Sequence, residues 1–305
     1  MTDALSQYSV LALYSAMALY AIAFVLFTLD LARGASDDGA PVGESKDVTL
    51  AAPKRKLARI AMALTVLGWV LQLAATVMRG LAASRVPWAN MYEFAMTGTL
   101  IIIGVFLIVN LKWDMKFLGS FVTGLVLLLL GLAATRYYVE IVPLPPALQS
   151  YWLVIHVFVA TLATGFFALG FALSLMQLLQ SRREAAAAAG AKTKLAFLTR
   201  LPDAAQLENY AYRLIIIGFV LWTFTLIAGA IWAEKAWGRY WGWDTKEVWT
   251  FIIWTIYAGY IHARSTRGWR GTRSAWLAMI GFAAVIFNFT VVNIFFKGLH
   301  AYSGL

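Results

Sequence analysis

Eight apolar runs, each long enough to cross about 30 Å of hydrocarbon at roughly 1.5 Å per residue, constrain this chain more than anything else in it. They occupy residues 9–31, 57–78, 94–111, 117–135, 150–179, 211–233, 246–264 and 274–297. The expected fold class is therefore all-α: a polytopic integral membrane protein of about eight transmembrane helices. Composition agrees, since 61% of residues are hydrophobic and 13% charged, against about half and a quarter in soluble domains. The first run follows an uncharged-to-acidic N-terminus and extends for more than twenty mostly apolar residues. It is expected to remain as a helix rather than to be cleaved as a signal peptide.

Lys and Arg set the expected orientation. With eight crossings both termini share a side, and the four loops on the other side hold eighteen of the 25 basic residues. By the positive-inside rule those loops face the cytoplasm and the remaining loops face outward. The formal charge of +10 is thus dispersed over interhelical loops, which suits the lipid bilayer and gives no reason to expect nucleic acid. Residues 34–56, mixed in Gly, Ser, Asp and Pro, read as a flexible linker ending in a basic anchor. The run Ala185 to Ala189 reads as a short helix. Gly119, Thr123 and Gly124 are small residues suited to close helix packing.

Between the sixth and seventh runs lies IWAEKAWGRYWGWDTKEVWTFIIW, residues 231–254, which holds six of the 13 tryptophans. On the topology above, this loop faces outward. An interfacial aromatic belt places one or two such rings per helix end, so the density here favours a hydrophobic platform for a large planar ligand over anchoring alone. Asp244, with Glu247 three positions later and an apolar run following, has the form of a capping box. That alone accounts for both acids. Lys246 and Arg239 either reach lipid headgroups or pair with carboxylates of a ligand.

The three histidines carry the remaining chemistry. A titratable group in or beside a membrane is a candidate functional site, and neutral imidazole is the commonest metal ligand. His156 and His300 fall on the outward side, at about the depth of the tryptophan loop. Each could also be a polar residue bonded to a neighbouring helix, yet as a pair beside an aromatic platform they meet the requirement for bis-histidine haem ligation. His262 lies 18 residues beyond Asp244, hence about 27 Å deeper. The chain has no cysteine, so it has no disulfide, no thiolate metal site and no thiol nucleophile, and any sulfur chemistry must come from a partner.

The run WGRYWGWD, Trp237 to Asp244, followed by Lys246 and Glu247, resembles the tryptophan-rich WWD motif of haem-handling proteins of cytochrome c maturation. One histidine before the motif and two after it are similar to the arrangement in the CcsA/ResC family, the integral-membrane half of a two-component cytochrome c synthase. PWANMYEF, Pro87 to Phe94, also resembles a stretch of that family. The resemblance implies a first transmembrane helix and linker at 1–56 and a haem-handling core at 57–305. It implies that Trp237, Trp241, Trp243 and Asp244 hold haem b as a substrate, that His156 and His300 ligate its iron at the outer face, and that His262 receives it within the membrane. It further implies a ResB-type membrane partner, an apocytochrome c supplying Cys-x-x-Cys-His, location in the cell membrane, and cytochrome c synthase (haem lyase) activity in complex with that partner. No catalytic residue is assigned. The alternatives are a haem transporter or chaperone without synthase activity, a haem-free membrane permease, and a structural subunit whose tryptophans anchor it.

Overall fold

The computed structural model describes residues 2–37, 56–141, 144, 148–191, 196–266, 268–296 and 298–299. Among these the secondary structure is helical throughout: α1 (Thr2–Asp37), α2 (Lys56–Ala83), α3 (Met91–Lys112), α4 (Gly119–Arg136), α5 (Tyr151–Ala188), α6 (Ala204–Trp237), α7 (Thr245–Ser265), α8 (Thr272–Phe287) and a final turn, α9 (Asn293–Phe295). Seven of the described helices are long and apolar enough to cross a membrane. The eighth expected crossing, α7, is lower in hydropathy because it carries Lys246, Glu247, His262 and Arg264 beside its Trp and Tyr rings. Its 21 residues still give about 31 Å, and it packs against α6 and α8. The chain is thus a multi-pass membrane protein.

α5 is the helix on which the bundle is built, packing on α6, α3 and α8. One buried core joins α1 through α6, with Tyr20, Met96, Phe106, Leu173 and Leu214 among its members. A second joins α5 to α8 around Phe167, Trp222, Ile253, Tyr257 and Phe282. Lipid offers no hydrophobic gain for pairing helices, so association rests on close packing and interhelical hydrogen bonds. Both are present. A Cβ on Gly119 would stand 2.6 Å from the Phe27 ring, so the glycine expected to permit close packing does so. Gln72, fully buried, accepts from the Tyr20 hydroxyl at 2.7 Å and donates to Thr99 Oγ1 and the Met96 carbonyl.

Each end of the bundle is tied by a buried ion pair. At the end carrying the tryptophan loop, Glu93 accepts from Arg79 Nε at 3.0 Å and Arg85 Nη1 at 2.5 Å. Asn90 caps α3 by accepting from the Glu93 amide. At the opposite end Glu208 accepts from Arg264 Nε at 3.1 Å, from the Gly271 amide and from Ser274 Oγ, joining α6, α7 and the start of α8.

Three expectations change. The alanine run is no separate helix: Ala185 to Ala188 continue α5, whose 38 residues run well past the apolar window because alanine propagates a helix beyond the lipid. The eighth run is not one α-helix, since residues Asn288–Val292 form a π turn between α8 and α9. Most of the linker, residues 38–55, lies outside the described residues.

Candidate functional site

The loop joining α6 to α7 is held at both ends. α6 closes on Gly238 in the left-handed region (φ 71°), whose amide donates to the Glu234 carbonyl at 2.8 Å, a common C-terminal cap. α7 opens on the capping box expected from sequence: Asp244 accepts from the first turn, and Glu247 Oε2 accepts from the Asp244 amide at 3.1 Å. Glu247 Oε2 also accepts from Gly242 N at 2.8 Å, so one buried carboxylate oxygen organises both the loop and the helix start. Trp243, between these supports, has φ 58°. A tryptophan there costs about 1–2 kcal/mol of backbone strain, and the residue is 78% exposed.

The six tryptophans separate into packers and presenters. Trp232 is buried and meets Trp237 edge-on at 4.8 Å, with Leu148 and Leu153 around them. Trp249 packs on Phe287, and Trp254 donates its indole N–H to Thr223 Oγ1 at 3.0 Å. Trp241 and Trp243 are exposed and meet at 87°. The rings therefore do not share one plane as a flat platform would. Of the six, Trp232 and Trp241 line a recess.

Below the loop lies a cavity of about 200 Å³ between α3, α4, α5, α6, α7 and the α8–α9 region. That far exceeds the roughly 10–15 Å³ that holds one water. Its loop end is lined by His156, Trp232, Tyr240, Trp241, Lys246 and Glu247, and the remainder is mostly apolar, with Phe94, Ile102, Leu129, Phe282, Val285 and Phe289. Phe94 and Phe289 stack at 4.9 Å across one wall.

His156 stands on the second turn of α5 with its ring stacked on Trp232 at 5.9 Å. Its Nδ1 lies 3.0 Å from the Thr225 carbonyl of α6. A carbonyl can only accept, so Nδ1 carries a proton; in the neutral ring this leaves the lone pair on Nε2, the tautomer a metal ligand requires. The ring fits because the facing residue is Gly229, where a Cβ would come within 2.7 Å of His156 Cε1.

The α8–α9 region supplies groups that sequence reading passed over. The π turn alters the carbonyl pattern, and Lys246 Nζ donates to the Asn288 carbonyl at 2.9 Å and to Asn293 Oδ1 at 2.6 Å. Lys246 thus serves the protein rather than headgroups. The available signal was Asn293, a side-chain amide inside an apolar run that needs a partner in a membrane. Glu93 in PWANMYEF was equally readable as a buried acid, and Thr225 and Gly229 were not, because their roles depend on which helix faces His156.

The structure brings His156, Trp232 and Trp241 to one cavity, with Trp237 behind Trp232 and Asp244 at the base of the loop. His262 is elsewhere: it occupies the last turn of α7, exposed, its carbonyl accepting from Ser265 and Thr266. His300 lies outside the described residues.

Residues 88–300 match the cytochrome C assembly protein family. The chain belongs to that family. It is 32% identical over 252 residues to the cytochrome c biogenesis protein CcsA of Trieres chinensis, covering 74% of this chain and 81% of that one. To the CcsA of Heterosigma akashiwo it is 34% identical over 248 residues, 72% of this chain and 77% of the relative. To that of Guillardia theta it is 34% identical over 240, or 74% and 80%. The cytochrome c haem lyase CcmF superposes with a TM-score of 0.64 at 18% identity, covering 93% of this chain and 46% of CcmF. That likeness concerns the fold, which recurs in about half of the larger protein. The chain is accordingly a CcsA-type membrane protein of cytochrome c biogenesis.

Proposed function

We propose that this protein is the membrane subunit of a cytochrome c synthase, conveying haem to the extracytoplasmic face and presenting it for attachment to apocytochrome c. The observation that carries the reading is His156: an imidazole whose Nδ1–H is committed to the Thr225 carbonyl, at the wall of a cavity that Trp232 and Trp241 also line. His156 and His300 ligate the iron of haem b, with Trp237, Trp241, Trp243 and Asp244 forming and supporting the recess around the macrocycle. His262, at the far end of α7, receives haem within the membrane beside a ResB-type partner. The tryptophan loop faces outward, a reading that the distribution of basic loops supports.

In the attachment step, each thiol of a Cys-x-x-Cys-His segment adds across a haem vinyl group. A carbon–sulfur bond forms, the S–H proton goes to the other vinyl carbon, and no electrons are lost or gained. The protein contributes position and exclusion of water, and a chain without cysteine forms no competing thioether.

The test is absorption spectroscopy on the chain purified with its ResB-type partner. A Soret band is expected, weakened in His156→Ala and in His300→Ala and partly restored by added imidazole. Unchanged spectra in both variants reject the ligand assignment, and absence of haem altogether leaves the permease and the structural subunit. Thioether-linked product on a denaturing gel after reconstitution with apocytochrome is the expected synthase outcome, and haem without product identifies a transporter.

A further inference from the structure

Asp244 uses both carboxylate oxygens, and they serve different parts of the chain. Oδ2 accepts from the Lys246 amide at 3.4 Å, within the cap of α7. Oδ1 accepts from the backbone N–H of Leu299 at 3.1 Å, 55 residues away and one residue before His300. Gly298 lies directly on the same carboxylate, and a Cβ there would overlap Oδ1. A cap needs only one oxygen, and Asn, Ser or Thr supplies it about as well. The second oxygen therefore does something that capping does not explain. Next along the chain, Lys246 holds the Asn288 carbonyl and Asn293 Oδ1, so two polar anchors at the start of α7 grip the segment that leads to His300.

We propose that Asp244 is a positioning residue: it fastens the Gly298–Leu299 turn to the tryptophan loop and so restricts the positions open to the next residue in the chain, His300. This rests on the reading of His300 as an iron ligand. Its physical content is separable, because covalent geometry puts consecutive Cα atoms about 3.8 Å apart, so a pinned Leu299 restricts its successor whatever that successor binds.

Asp244→Asn is the discriminating variant. Its amide keeps an oxygen at one of the two positions and puts a donor NH2 at the other, so in the parent geometry either the Lys246 amide or the Leu299 amide faces a group that cannot accept it. Gly298→Ala perturbs the same contact from the other side and leaves the cap untouched. Because the chain has no cysteine, spin labels can be placed at Lys235→Cys on α6 and Leu299→Cys, the latter retaining the backbone donor, and the distance between them measured by pulsed electron paramagnetic resonance in the complex with the ResB-type partner. A single narrow distance is expected in the parent background. In both variants the detached population should rise roughly tenfold or more, the effect of losing a hydrogen bond to a charged acceptor. The haem spectrum should change as in His300→Ala, with rescue by imidazole. A distance as narrow in both variants as in the parent overturns the proposal, as does a broadened distance with an unaltered spectrum where His300→Ala alters it. Broadening together with a silent His300→Ala leaves the tether standing and overturns the haem-ligand reading instead.

Discussion

His156 Nδ1 lies 3.0 Å from the carbonyl oxygen of Thr225 on the neighbouring helix, and this one contact fixes the tautomer, the ring plane and the direction in which Nε2 can ligate. Gly229 makes room for it. Gly229→Ala is therefore expected to push the ring off Thr225 without changing any other residue of the recess. Retained haem should fall while membrane insertion and thermal stability stay near the parent values, to be read from the Soret absorbance per protein in purified membranes. Full haem content would show that the contact does not position the ring.

Glu93 is fully buried between two arginines. Glu93→Ala removes the single carboxylate that compensates them, and breaking a buried pair in this way costs about 3–5 kcal/mol. A large drop in the midpoint of thermal unfolding in detergent is the expected result. A negligible shift would mean that water or lipid headgroups already screen the pair.

Trp232 and Trp243 belong to the same cluster and should respond oppositely. Trp232 is 2% exposed, and its replacement by Ala should cost about 3–5 kcal/mol. Trp243 is 78% exposed, so Trp243→Ala should stay within about 0.5 kcal/mol in stability and yet lower retained haem. Comparing unfolding midpoints with haem content for the pair separates support from presentation. Mislocalised protein with normal haem content in Trp243→Ala would favour anchoring.

Lys246→Met keeps much of the length of the side chain but removes the donor to Asn288 and Asn293. The two acceptors are then left to find other partners, at about 1–3 kcal/mol, and local opening of the π turn should follow. Hydrogen exchange across residues 288–295 should quicken while α7 remains protected. Equal protection in the variant would show that the π turn holds without the lysine.

The membrane class, the position of seven crossings by length and hydropathy, and the capping box of Asp244 and Glu247 were legible in the chain because each depends on neighbours along the sequence: apolar length against bilayer thickness, and backbone amides three residues apart. α7 was legible by its apolar spacing although its tryptophans, tyrosines and charges lower its hydropathy. The candidate site was readable as residue types, as histidines and a tryptophan-rich loop with a family likeness. Its arrangement was not. That Trp232 backs His156 while Trp243 points outward, that Lys246 turns inward to a π turn, and that one carboxylate joins residues 244 and 299 all depend on which helix faces which. Local sequence determined what could cross the membrane and how each crossing begins and ends. The tertiary structure decided which polar groups meet, because in a lipid-embedded bundle a buried donor or acceptor takes its partner from whichever helix packing brings within about 3 Å.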